Sequence, residues 1–72
     1  MNSKVLSVAV QGHIIVAGYD DTTIRIWDLR TQTVLQTLAE HKSSINCVAI
    51  HRDIIVSGSD DGTIKIWKIN KP

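Results

Sequence analysis

Cysteine, proline and methionine occur once each in this chain of 72 residues, phenylalanine is absent, and aromatic side chains make up 4%. A lone Cys47 excludes an intrachain disulfide, and without a C-x-x-C pair or a Cys/His cluster no zinc site offers itself as a staple. A single core must therefore offset the ordering entropy at close to the smallest workable size. Charge of one sign is missing too: eight Lys and Arg against seven Asp and Glu leave a net charge of +1. The basic residues lie among acidic ones instead of forming a run, which argues against a nucleic-acid partner. Long hydrophobic runs are equally absent. Val5 to Val10 is cut short by Gln11, too early for a signal-peptide core or a membrane span, so a soluble chain without a membrane partner is expected. The reduced thiol points to the cytoplasm, with the nucleus also open.

What is abundant is β-branched: Val, Ile and Thr make up about a third of the chain. A shift of about 40 residues superimposes most of one half on the other. Ile14-Ile15-Val16-Ala17-Gly18-Tyr19-Asp20-Asp21 falls on Ile54-Ile55-Val56-Ser57-Gly58-Ser59-Asp60-Asp61, and Thr23-Ile24-Arg25-Ile26-Trp27 on Thr63-Ile64-Lys65-Ile66-Trp67. Short β-branched runs alternate with turn chemistry such as Gln11-Gly12-His13 and Asp60-Asp61-Gly62, and no stretch has helical periodicity. This pattern predicts strands at about 5–10, 14–19, 23–29, 34–39, 45–50, 54–59 and 63–69, joined by hairpin-length turns into antiparallel sheet. Ile14 to Ala17 and Ile54 to Val56 do not alternate with polar residues, so these strands should be covered on both faces, while the mixed run Thr33 to Leu38 suits an outer edge. Repetition at this period fits blades packed around an axis, and a two-sheet sandwich made by duplication is the other reading.

Ser57-Gly58-Ser59-Asp60-Asp61-Gly62-Thr63-Ile64-Lys65-Ile66-Trp67, with Trp27-Asp28 in the first copy and His41 ahead of the second, resembles the WD40 repeat family. The short turns between first and second strands resemble repeats of F-box/WD40 substrate adaptors, although no F-box sequence occurs in these residues. The resemblance implies an all-β fold of two β-propeller blades, residues 1–40 and 41–72. The first blade takes residues 34–39 as its outer strand and the second lacks one. It also implies a buried hydrogen-bonded tetrad, carried here by His41, Ser57, Asp61 and Trp67. An indole N–H needs an acceptor when buried, a hydroxyl can accept it while meeting an imidazole, and a carboxylate fixes the other ring nitrogen. In the first copy Ala17 stands at the Ser position, and the His position falls on Met1, leaving Asp21 and Trp27 as a partial clasp. Thr22 occupies the turn position of Gly62, so that turn should be of another type or mildly strained.

Two blades cannot close a ring, and repeat units of this kind need neighbours on both faces. Further blades, in cis or in trans, are therefore expected partners, the chain being a fragment or protomer of a larger propeller. The family implies a non-enzymatic scaffold that binds proteins or peptides through the rim of the propeller, here Asn2, Lys4 and Asp20, and then Lys42, Ser44 and Asp60. Recognition of a phosphorylated or acidic peptide, and pure self-assembly, are the alternatives. The trio His41, Ser57 and Asp61 lacks a Gly-x-Ser-x-Gly elbow, which weighs against a hydrolase. Residues 57–62 resemble a calcium loop, but Lys68 stands where the bidentate acid should be, so neither metal nor cofactor is expected. Cys47 reads as a small core thiol, His13 and His51 as solvated turn residues, and Arg25 and Lys65 as side chains with buried stems.

Overall fold

A computed structural model describes residues 3–69 of the chain, so Asn2, expected on the rim, lies outside the described residues. Seven strands form: β1 (Val5–Gln11), β2 (Ile14–Tyr19), β3 (Ile24–Asp28), β4 (Thr33–Leu38), β5 (Ile45–His51), β6 (Ile54–Ser59) and β7 (Ile64–Lys68). They make a four-stranded sheet in the order β1-β2-β3-β4 and a three-stranded sheet in the order β5-β6-β7, with every pairing antiparallel. Hairpins join successive strands within each sheet. The link over residues 39–44 is not the hairpin the sequence suggested, because it carries the chain from the edge of one sheet to the inner strand of the other.

The repeat extends to backbone detail. Opposite β2 the register slips between Val5 and Ser7, and opposite β6 it slips between Ile45 and Cys47. An extra residue there reverses the in–out alternation. Ile45 and Val48 thereby face the same core. Leu29 donates its N–H to the His13 carbonyl at 2.7 Å, as Ile69 does to Asp53 at 2.8 Å.

One core lies between the two sheets. Val16, Ile24 and Ile26 come from the first and Ile45 and Ile55 from the second, with Ile14, Leu38, Val48, Ile50, Trp67 and Ile69 packed around them. Burial of such aliphatic side chains contributes about 1.5–3 kcal/mol each and is the main stabilising term in a chain without staples. The sheets meet closely at Gly18, where a built Cβ would lie 2.5 Å from Cγ2 of Ile45. Only hydrogen fits there.

The outer faces are bare. Val5, Val8 and Val10 on the first sheet and Ile64 and Ile66 on the second are exposed, so the expected cover on both sides of each strand pair exists on one side only. Cys47 corrects the sequence reading for the same reason. The reading placed it in a core, but its side chain projects from the uncovered side of β5 and is exposed. His13 and His51 are exposed as expected.

Thr22 has φ of 78°, close to the 84° of Gly62, so the two copies use the same turn and the β-branched residue carries the strain. Gln32 and Arg52 also have positive φ, 58° each, and Arg52 holds the repeat position of Gly12, whose φ is 59°. No helix among the described residues is long and apolar enough to cross a membrane.

Candidate functional site

His41 belongs to the link between sheets, Ser57 to β6, Asp61 to the β6–β7 turn and Trp67 to β7, and the fold brings all four together. The indole N–H of Trp67 donates to Ser57 Oγ at 2.9 Å, and Ser57 Oγ lies 2.8 Å from Nε2 of His41. On the other side of the ring, Nδ1 lies 3.3 Å from Oδ2 of Asp61. A carboxylate can only accept, so Nδ1 carries the proton, Nε2 accepts from the Ser57 hydroxyl, and that oxygen accepts from the indole. The His41 and Trp67 rings meet edge to face with centroids 6.3 Å apart. His41 and Ser57 are buried, while Trp67 and Asp61 are half-buried.

Asp61 anchors more than the imidazole. Its carboxylate accepts from the Thr63 hydroxyl, from the Thr63 N–H at 2.9 Å and from the Lys42 N–H at 3.0 Å. The Thr63 hydroxyl, then the Lys42 amide, hold the Asp61 carboxyl well below the usual carboxylate range.

The first sheet solves the same problem differently. Asp21 and Trp27, expected as remnants of one clasp, bond to different partners. The Trp27 N–H donates to the Tyr19 hydroxyl at 3.4 Å, a long bond, and the Tyr19 ring in turn lies 4.7 Å from the Arg25 guanidinium carbon. Asp21 accepts from the Ser3 hydroxyl at 2.6 Å and from the Thr23 N–H at 3.0 Å. The Ser3 hydroxyl first, and then the Thr23 hydroxyl, which also donates to Asp21, lower its pKa. Sequence reasoning missed Tyr19 and Ser3. The signal was available in the alignment of the copies, where Tyr19 faces Ser59 and a hydroxyl lost at Ala17 reappears two residues on.

The rim residues fall into two clusters. The Lys4 N–H donates to Oδ1 of Asp20 at 2.9 Å, and the Asp20 N–H donates to the Lys4 carbonyl at 3.0 Å. In the second copy the Asp60 N–H donates to the Ser44 carbonyl at 3.0 Å, and Asn46, also missed, donates to Asp60 Oδ1 at 2.5 Å. The Ser44 hydroxyl reaches across to the Asp20 carbonyl at 3.2 Å and ties the clusters together. Lys4, Lys42 and Asp60 are exposed on this fixed backbone. At the opposite end Gln11 clamps Arg52, accepting from its N–H and donating to its carbonyl, both at 2.7 Å.

Two of the three arginines, Arg25 and Arg30, have their guanidinium groups engaged. Arg25 lies 3.5 Å from Asp21, and Arg30 pairs with Asp28 at 3.0 Å. The Arg30 side chain pulls the Asp28 carboxyl down to about 2. Among the described residues no three His, Cys, Asp or Glu side chains gather as metal ligands.

Comparison with known proteins places this geometry. The family model for the WD domain, G-beta repeat, matches residues 2–28 and 32–68. Methylosome protein WDR77 of Xenopus laevis is 39% identical over 44 residues, covering 61% of this chain and 13% of the relative. Mitochondrial division protein 1 of Saccharomyces cerevisiae is 47% identical over 36 residues, covering 50% of this chain and 5% of the relative. This chain thus spans a small part of each. Among solved structures, the computationally designed Ika4 protein aligns with TM-score 0.87 and 35% identity over 92% of this chain and 41% of its own. The designed Ika8 protein aligns with TM-score 0.83 and 37% identity over 86% of this chain and 20% of its own.

Proposed function

Because the chain belongs to the WD40 family, with two stretches matching its G-beta repeat model, we propose that it is a non-enzymatic module for protein–protein contact, part of a larger propeller. The residues 1–40 and 41–72 are its two repeats. The observation that carries the reading is the locked rim: Lys4, Asp20, Ser44 and Asp60 are held by reciprocal backbone and side-chain bonds, and the Ser44–Asp20 bond fixes one segment against the other. A preorganised surface loses little entropy on binding. Cations at Lys4 and Lys42 beside carboxylates at Asp20 and Asp60 suit a polar peptide. A cytoplasmic site of action belongs to the same reading.

The tetrad of His41, Ser57, Asp61 and Trp67 is a structural clasp in this account. Ser57 is 1% exposed and its Oγ already accepts the indole N–H, so it has no path to a substrate carbonyl. Phosphopeptide recognition is less well supported, since Arg25 and Arg30 are committed to Asp21 and Asp28.

Lys42→Ala offers the cleanest test. Its anchor to Asp61 runs through the backbone N–H, so the substitution removes only the exposed ammonium. Against an array of acidic, basic and phosphorylated peptides, the intact chain is expected to retain a subset that Lys42→Ala and Asp60→Ala lose while the far-ultraviolet spectrum stays unchanged. Binding confined to phosphorylated peptides would favour the adaptor-type alternative. Retention unaffected by either substitution would overturn the rim assignment.

A further inference from the structure

The two bare faces are related by the repeat to the two faces already joined inside the chain. Val16, Ile24 and Ile26 on the first sheet are 0%, 0% and 1% exposed because the second sheet covers them. Their counterparts 40 residues on, Val56, Ile64 and Ile66, are 38%, 74% and 72% exposed. The complementary surface behaves in the same way. Ile45, Val48, Ile55, Trp67 and Ile69 receive the first sheet. Their counterparts Val5, Val8, Ile15, Trp27 and Leu29 line an apolar groove of about 420 Å³ on the outside of the first sheet. Each uncovered face therefore has the residues of one half of an interface that this structure displays complete.

Resting on the reading that the chain is part of a larger propeller, we infer that copies of this chain supply the missing neighbours to one another. The outer face of β5-β6-β7 in one copy seats on the outer face of β1-β2-β3-β4 in the next, in the register of the internal interface. Such a contact joins unlike surfaces, so it closes into a ring if the rotation allows. Propellers have about four to eight blades, which corresponds to about two to four copies.

Polar positions at the seam agree. Ser44, whose hydroxyl donates to the Asp20 carbonyl across the internal interface, corresponds to Lys4, and Asp20 corresponds to Asp60. The seam between copies thus sets a lysine beside an aspartate. Ser7, whose Oγ accepts the Val48 N–H at 3.1 Å, corresponds to Cys47, which comes to lie at the Val8 N–H of the next copy. The thiol that is exposed on the single chain becomes covered.

Sedimentation velocity on the full chain across micromolar to millimolar concentration tests the inference. The expected result is a concentration-dependent particle of a whole, limited number of chains. Two variants block one face each: Val8→Asp the groove, and Ile64→Asp with Ile66→Asp the opposing face. Each alone should sediment as a monomer, and an equimolar mixture should give a dimer and nothing larger, because one intact face of each kind remains. Recovery of that dimer also shows that both variants fold. Cys47 should react with a thiol reagent severalfold more slowly in the intact chain than in the Ile64→Asp, Ile66→Asp variant. A monomer at every concentration, unbounded growth, or a mixture that forms no dimer would overturn the inference. None of those results bears on peptide retention at Lys42, which lies outside the proposed seam and by which the interaction reading is judged.

Discussion

Removing one oxygen from the clasp, by Ser57→Ala, perturbs two hydrogen bonds at once. Ser57 Oγ bonds Trp67 at 2.9 Å and His41 at 2.8 Å. Each bond contributes about 0.5–1.5 kcal/mol net, and a buried polar atom left without a partner costs about 1–3 kcal/mol. The two orphans are not equal. The His41 side chain has no exposed surface, so Nε2 cannot recruit water, whereas half-buried Trp67 can turn its N–H outward. The total comes to about 2–4 kcal/mol, or a fall in Tm on the order of 10–30 °C for a domain of this size. Urea denaturation followed by far-ultraviolet circular dichroism, at one fixed chain concentration, reads this directly. A cycle with Trp67→Phe isolates the shared bond: in the Ser57→Ala background the second substitution should cost about 1 kcal/mol less than in the intact chain. A strictly additive cycle, or a Ser57→Ala loss under about 0.5 kcal/mol, would refute the clasp.

Thr22→Gly should stabilise the chain by about 1 kcal/mol, because it relieves a β-branched residue at positive φ and only part of the gain is returned as unfolded-state entropy; a lower Tm for the variant would contradict the strained turn. Acid should destabilise in a defined window. Asp28 and Asp61 have lower pKa values folded than unfolded, so between about 4 and about 2 the unfolded chain binds more protons and stability falls as pH falls. The urea midpoint should be steady above that window and drop within it, and a midpoint rising between about pH 5 and about pH 3 would count against these pairs.

Strand positions and sheet type could be read from the sequence because two copies reported on one structure: a β-branched run bounded by turn residues, found twice at one spacing, leaves little freedom in register. The tetrad could be read from the resemblance, since its members are spaced by the hairpins that bring them together. Which face of each strand would be covered could not be read. Val56 and Val16 are the same residue type in the same local context, yet one is exposed and the other fully buried. That difference arises from the order of the two sheets, not from local pattern, and it also explains the misplacing of Cys47. Tyr19 was overlooked for a different reason. A side chain can substitute for another two positions away only because strand residues i and i+2 share a face, and position-by-position comparison does not look sideways.

The location of the clasp explains why a chain otherwise held by aliphatic contacts keeps a buried polar network. The second stretch that matches the family model starts at residue 32 and so takes in β4, yet β4 pairs with β3 in the first sheet. The second sequence unit thus straddles two sheets, and the link over residues 39–44 is where it passes from one to the other. Hydrophobic contact is nondirectional and would leave the link free to slide. His41 and the Lys42 N–H bind Asp61 from within the link itself, and Ser57 and Trp67 hold His41 from the sheet behind it. Directional bonds stand where one sheet is handed on to the next, and there they fix the incoming link against the second sheet, which apolar contact alone would leave unspecified.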